Sequence, residues 1–181
     1  MVLKLGAALC GFDDGYWRNR DQSMNKITPF LWFNDNAEEA MKFYTSIFKN
    51  SKIGKVTRYS EGAPVPAGTF MTGTFRIEGQ EFVALNGGPI FKFTEAISFV
   101  VNCETQKEVD TYWKKLSADG GQEVQCGWLK DKFGLSWQIV PKILFKLLAD
   151  KDRKKAGRVM DAMLKMKKID IAGLKRAYAN E

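Results

Sequence analysis

From Lys26 to Phe33 the chain runs through β-forming residues and then breaks at Asn34-Asp35-Asn36. Asn36 with Glu39 three residues on has the spacing of a capping box, which predicts a strand followed directly by a helix. The helix expected over 37–48 carries Ala40, Met41, Tyr44, Ile47 and Phe48 in a single apolar stripe, so one face packs and the other meets water. Ile53 to Ser60 then reads as a strand, 62–68 as a Pro/Gly loop, and Thr69 to Ile77 as a second strand. Glu78-Gly79-Gln80 turns that strand into a third, Glu81 to Leu85. The order is βαβββ.

After Asn86-Gly87-Gly88-Pro89 the pattern starts again. Ala96 to Asn102 is an apolar strand, and Thr105 with Glu108 repeats the capping-box spacing. A helix over 106–118 places Val109, Tyr112, Trp113 and Leu116 on one face and ends at Asp119-Gly120-Gly121. Three short strands are expected at Gln122–Gly127, Trp128–Lys130 and Leu135–Val140, with Asp131-Lys132-Phe133-Gly134 as a tight turn. Helices follow to the end of the chain. Their stripes are Leu144, Leu147 and Leu148; then Val159, Met160, Met163 and Leu164, with Asp150 as the expected cap; then Leu174 and Tyr178, with Asp170 as the cap. Residues 1–23 show no sustained period, and strand-like sequence begins just after Met24, a candidate physiological start. The pattern predicts an α+β protein with two tandem βαβββ modules over 24–141. A helical extension over 142–181 is expected to dock on the same domain, and residues 1–23 form an irregular segment before it.

The net charge of +7 is concentrated rather than spread. Residues 1–141 hold 16 basic and 16 acidic side chains, whereas 142–181 hold 12 and 5. Such a tail raises a nucleic-acid reading, but it lacks a reading motif and its lysines lie opposite an apolar stripe, the arrangement of a solvated helix face. No apolar run approaches membrane-spanning length. Three cysteines without CxxC spacing, Cys10, Cys103 and Cys126, point to a reducing, cytoplasmic setting. The chain contains no histidine, which excludes Ser-His-Asp and Cys-His catalysis and restricts any metal site to carboxylates, amides and thiols.

The runs Thr28-Pro29-Phe30-Leu31-Trp32-Phe33, Ala37-Glu38-Glu39-Ala40 with Phe43-Tyr44, Ala84-Leu85-Asn86-Gly87-Gly88-Pro89, Phe91-Lys92-Phe93 and Cys126-Gly127-Trp128-Leu129-Lys130-Asp131 resemble the PhnB-like family. So does the tail Leu147-Leu148-Ala149-Asp150 with Met166-Lys167-Lys168-Ile169-Asp170. That family, often labelled 3-demethylubiquinone 3-methyltransferase, belongs to the vicinal oxygen chelate superfamily of glyoxalases, bleomycin-resistance proteins and dioxygenases. The resemblance implies the paired βαβββ fold and a cavity faced by the first and last strands of each module. Catalysts of the superfamily hold a divalent ion there with His, Glu or Gln side chains. On the corresponding strands this chain offers Thr28, Glu81, Asn86, Ser98, Asn102, Ser136 and Gln138, a poor set for zinc, nickel or iron. The family pattern often has His where Ile90 stands. The methyltransferase label would require a glycine-rich nucleotide loop after a parallel strand, and no GxGxG run is present.

The expected function is metal-free, cofactor-free binding of a small molecule by a homodimer. Trp32, Trp128 and Trp137, with Phe30, Phe91 and Phe93, are the aromatic candidates for the ligand site, against a reading as core filling. Asn86, Ser98 and Gln138 are the polar candidates, with turn formation as the alternative for Asn86. Cys126 is a candidate nucleophile if Lys130 or Lys92 activates it, and otherwise a small apolar filler. Glu81 is expected to point outward into solvent. The rival functions are an enzyme of the glyoxalase/dioxygenase superfamily, the labelled methyltransferase, and an interaction module acting through the basic helices.

Overall fold

The computed structural model describes residues 26–181, so the expectation for 1–23 lies outside the described residues. These residues divide into two compact units, one ending at Phe91 and the other running from Lys92 to Glu181. The first contains β1 (Phe30–Phe33), α1 (Ala37–Ile47), β2 (Ser51–Arg58), β3 (Phe70–Ile77) and β4 (Gln80–Asn86). The second contains β5 (Ser98–Cys103), α2 (Gln106–Leu116), β6 (Gln122–Glu123), β7 (Trp128–Lys130) and β8 (Ser136–Pro141). It continues into α3 (Lys142–Leu148), α4 (Arg153–Leu164) and α5 (Ile171–Ala179). The sheets have orders β1-β4-β3-β2 and β5-β8-β7-β6, in which the first strand runs parallel to the last and the other pairs are antiparallel. The tandem βαβββ expectation and its helical extension are both met.

In the first unit the apolar stripe of α1 lies on alternate residues of β3 and β4. Ala40, Met41 and Tyr44 are fully buried. Tyr44 stacks on Phe75 and Phe75 on Phe82, with centroids 5.9 and 5.2 Å apart, contacts of about 0.5–1.5 kcal/mol each beyond their burial. A Cβ on Gly73 would come within 2.8 Å of Met41, so the helix approaches closest where β3 has no side chain. The β3–β4 hairpin turns on Glu78 and Gly79, both at positive φ, the pairing that a two-residue turn between right-twisted strands requires.

The caps correct two sequence expectations. Asn36 makes no side-chain bond to α1; Asn86, at the end of β4, reaches across instead, and its Oδ1 accepts the Ala37 N–H at 2.8 Å. Asp152, not Asp150, caps α4, accepting from the N–H groups of Lys154 and Lys155. Asp150 accepts from the Asp152 N–H and the Tyr178 hydroxyl. Thr105 and Asp170 cap α2 and α5 as expected.

The extension shares a core with β8. Val140, Leu144, Val159, Ile169 and Leu174 form one buried cluster, joined by Leu147, Leu148, Met163, Met166 and Tyr178. Met160 and Leu164, expected in that stripe, are instead exposed; the buried side of α4 is Ala156 and Val159. The strand expected over 122–127 is also shorter, because the chain kinks at Cys126 and Gly127, both at positive φ. Their N–H groups bond the carbonyls of Met166 and Lys167, fastening the link between α4 and α5 to the sheet. A Cβ on Gly127 would meet the Ile139 carbonyl at 2.9 Å, so glycine is required there for both φ and space.

Asp131 organises the β7–β8 turn. The residue is 3% exposed, and its Oδ1 accepts the N–H groups of Phe133 and Leu135 at 2.9 and 3.0 Å while Oδ2 accepts the Trp137 indole N–H at 2.8 Å. Replacement Asp131→Ala strands all three donors and is expected to destabilise the protein by about 3 kcal/mol or more, measured by urea denaturation. A loss under about 1 kcal/mol would show that water replaces the carboxylate freely.

Cys103 is fully buried, and burial, assisted by the Glu108 carboxylate, pushes its thiol from the ordinary 9.0 up to about 12. The folded state therefore holds the proton more tightly than the unfolded one. The resulting stability is complete below pH 9.0 and is lost as the pH rises towards about 12. Melting temperature is expected to fall across that window, and Cys103→Ala, though less stable at neutral pH, to show a shallower fall. Parallel profiles for the two proteins would overturn the assignment.

Candidate functional site

Two sheet faces carry the candidate residues, one in each unit. In the second unit the Trp113 indole of α2 donates to Glu123 Oε1 at 2.7 Å, which identifies the helix-covered face. Glu123 pairs with Leu129 and Leu129 with Trp137, and Trp137 pairs with Phe99, so this row faces α2. Alternation turns the neighbouring residues to the opposite face. There Lys130, Ser136 and Ser98 form one row across β7, β8 and β5, and Trp128, Gln138 and Val100 form the next. Five of these six are partly or substantially exposed, while Ser136 is 1% exposed.

This face brings three sequence candidates together. The Gln138 side-chain amide donates to Ser98 Oγ at 2.9 Å, and Trp128 is the register partner of Gln138. Ser136 Oγ is buried and makes no hydrogen bond within the protein. Lys130 forms an ion pair of 2.5 Å with Glu95, whose carboxyl it holds below the usual carboxylate range. Neither Lys130 nor Ser136 is singled out as a ligand contact by the sequence alone, where Lys130 is a strand residue near Cys126 and Ser136 a weak metal donor. The period-2 spacing of Trp128 with Lys130, and of Gln138 with Ser136, places all four on one face once the register is known. Cys126 is not on a strand of this face; it sits in the kink before β7.

In the first unit, the Trp32 indole donates to the Gly88 carbonyl at 2.8 Å and meets Phe91 edge-to-face, centroids 5.0 Å apart. A Cβ on Gly87 would lie 2.2 Å from the indole ring, so the Gly87-Gly88 pair is a seat for Trp32 as well as a turn. Phe91 is 49% exposed, against a reading of the pair as sealed core. Asn86 is held differently from its neighbours. Besides accepting from Ala37, its amide donates to the carbonyls of Asp35 and Phe70, so its polar atoms are engaged in holding β1, α1 and β3 together.

Glu81 corrects the expectation of an outward, solvated carboxylate. It pairs with Arg76 in the β3–β4 register, on the face turned away from Phe75 and α1, with 3.6 Å between the charged groups. Arg76 Nε and Glu81 Oε1 are buried without partners beside an open cleft of about 220 Å³ that Lys52, Gly54 and Thr74 also line. Among the described residues no three His, Cys, Asp or Glu side chains are grouped as a metal would require. Within each unit, the strands on which the family resemblance would place metal ligands offer a carboxylate facing an arginine, or a hydroxyl and an amide bonded to each other. That donor set does not fit a divalent transition ion.

The basic extension is partly engaged internally. Lys142 pairs with Glu104, Lys168 with Asp110 and Arg176 with Asp170, while Arg158 donates to the carbonyls of Ala177 and Tyr178 at the end of α5. Among the described residues no helix is long and apolar enough to cross a membrane.

The model of the 3-demethylubiquinone-9 3-methyltransferase family matches residues 25–140. The PhnB protein from Bacillus cereus is 42% identical, with a TM-score of 0.60 over 65% of this chain and 99% of its own. Protein PA1353 from Pseudomonas aeruginosa, 19% identical, shares the fold with a TM-score of 0.53 over 65% of this chain and 98% of its own. No curated protein matches the chain. The tandem modules, the matched residues and the likeness to PhnB together show that the chain belongs to the PhnB-like family, described as 3-demethylubiquinone-9 3-methyltransferase, with the vicinal oxygen chelate fold.

Proposed function

We propose that this chain is a cytoplasmic, homodimeric protein that binds a small molecule without a metal, on the β5-β8-β7 face of its second module. The observation that carries the reading is the Ser98–Gln138 pair beside Trp128, with the Ser136 hydroxyl buried next to it and unbonded. A buried polar group without a partner is unfavourable by about 1–3 kcal/mol, a deficit that a ligand atom or ordered water relieves. A tryptophan beside an amide supplies what a small planar molecule needs, an apolar surface and a directional bond. In the first module the Trp32–Phe91 pair is the corresponding aromatic feature.

Among the described residues, methyl transfer, the activity in the family's description, has no matching feature. The parallel strands β1 and β5 are followed by Asn34-Asp35-Asn36 and Glu104-Thr105, neither with the glycines that admit a nucleotide to a helix N-terminus. Homodimerisation is supported by the exposed Phe30, Ile90, Phe91 and Ile97, apolar side chains of the kind a partner surface covers.

A thermal-shift screen of small aromatic and polar compounds is expected to yield a class that stabilises the native protein and not Trp128→Ala. Equal stabilisation of both would move the site elsewhere. Titration with Zn²⁺, Ni²⁺, Mn²⁺ or Fe²⁺ is expected to give no tight stoichiometric site in a Cys103→Ser/Cys126→Ser variant. Sub-micromolar binding that survives both substitutions would overturn the metal-free reading. Light scattering at micromolar concentration is expected to report twice the 20.5 kDa chain mass, and a monomer would count against the dimer.

A further inference from the structure

We infer that the ligand of the β5-β8-β7 face is a small planar organic anion whose carboxylate displaces Glu95 from the Lys130 ammonium. The inference rests on the ligand-binding reading of that face and adds the chemistry of what it holds. The row Lys130, Ser136, Ser98 crosses three neighbouring strands, which places adjacent side chains roughly 5 Å apart. Each member of the row has a proton to donate. Lys130 carries an ammonium; the Ser136 hydroxyl has no partner. Ser98 Oγ accepts from Gln138, which leaves its own proton directed elsewhere. Three donors side by side, one of them cationic, complement an oxyanion and repel a cation.

The Lys130–Glu95 pair is asymmetric in a way that favours exchange. The lysine side chain is 27% exposed, held on its strand, whereas the Glu95 side chain is 61% exposed and comes from the segment before β5. Glu95 is thus the outer, solvated partner of an inner cation. An incoming carboxylate that reaches the Ser98 hydroxyl gains a bond that Glu95 lacks; the Ser136 hydroxyl, 1% exposed, takes part only once the displaced Glu95 and Lys130 side chains uncover it. The next row supplies the rest of the ligand's surroundings: Trp128 as an apolar ring, Val100 on the same row, and Gln138, whose amide N–H goes to Ser98. A flat body over Trp128 with its carboxylate on the Lys130 row fits both rows at once.

Benzoate and its neutral isostere benzamide, titrated into the full-length protein, test this. The readouts are calorimetry and the side-chain N–H signals of Gln138 and Trp128 in nitrogen–proton correlation spectra. Benzoate is expected to move both signals saturably and to bind at least about five-fold more tightly than benzamide, the advantage of a charge-assisted bond on a partly exposed site. Lys130→Gln should abolish that preference. Glu95→Gln, by removing the competing carboxylate, should tighten benzoate and leave benzamide unchanged. If both probes move the signals with equal affinity, or if Glu95→Gln leaves benzoate unaffected, the anion assignment is overturned while the ligand-binding face stands. If neither probe moves the Gln138 or Trp128 signals up to its solubility, the face itself is not a ligand site and both readings fall. Near-ultraviolet circular dichroism of each variant separates a lost contact from a lost fold.

Discussion

A buried carboxylate holds the second module in register. Asp131 gathers two backbone N–H groups of its own turn and the indole of Trp137 from the following strand. The backbone bond from the Asp131 N–H to the Leu135 carbonyl closes the turn behind it. Placing a charge at 3% exposure is tolerable only because several donors replace its water. What those donors fix is the alignment of β7 with β8. A shift of one residue would exchange the two faces of β7, sending Trp128 and Lys130 towards α2 and Leu129 away from it. The candidate ligand face therefore depends on a residue that does not belong to it.

The first module solves the same problem with a neutral group. Asn86 binds the start of α1 and the carbonyls of Asp35 and Phe70. It thereby joins the parallel β1–β4 pair to the crossover that a parallel connection needs. The position after it is occupied by Gly87, so that Trp32 can lie against the backbone. Asn86-Gly87-Gly88 is thus a small assembly that caps a helix, seats an indole and ends a strand. This explains why a segment that reads as turn punctuation also lies beside the most conspicuous aromatic pair of the unit.

The two modules share topology and differ in what their strand faces present. On the face away from α1, β3 and β4 bring Arg76 against Glu81, with Lys52 alongside. On the face away from α2, hydroxyls and an amide surround a lysine whose counter-ion lies outside the sheet. Metal chemistry needs several anionic or imidazole donors that converge, and neither face supplies them. Hydrogen bonding and stacking need only a few directional groups beside an aromatic ring, and the second face has those. The extension from α3 to α5 stiffens this module further, since its apolar side packs on Val140 and its α4–α5 link is bonded to the Cys126-Gly127 kink.

Local sequence determined the order of elements, because alternation, the 3.6-residue stripe and turn residues act over a few neighbours. The β3–β4 hairpin follows from Glu78-Gly79, and the caps Thr105 and Asp170 from their spacing to the helix. The absence of histidine restricted the chemistry before any fold was known. Trp128, Gln138 and Ser98 were legible as polar and aromatic positions on expected strands. Their meeting, and the part played by Lys130 and Ser136, are not, because register belongs to the strand pair and not to either strand: Ser98 meets Gln138 across forty residues, and the turn alone decides which residues of β7 and β8 face each other. The same reason explains the misplaced cap of α1. Asn36 has the right spacing for α1, but Asn86, distant in sequence, arrives with better geometry, and only tertiary structure decides such a competition. Nothing local marks Glu81 as other than a solvated carboxylate; the pairing of β3 with β4 sets Arg76 opposite it on the face away from α1.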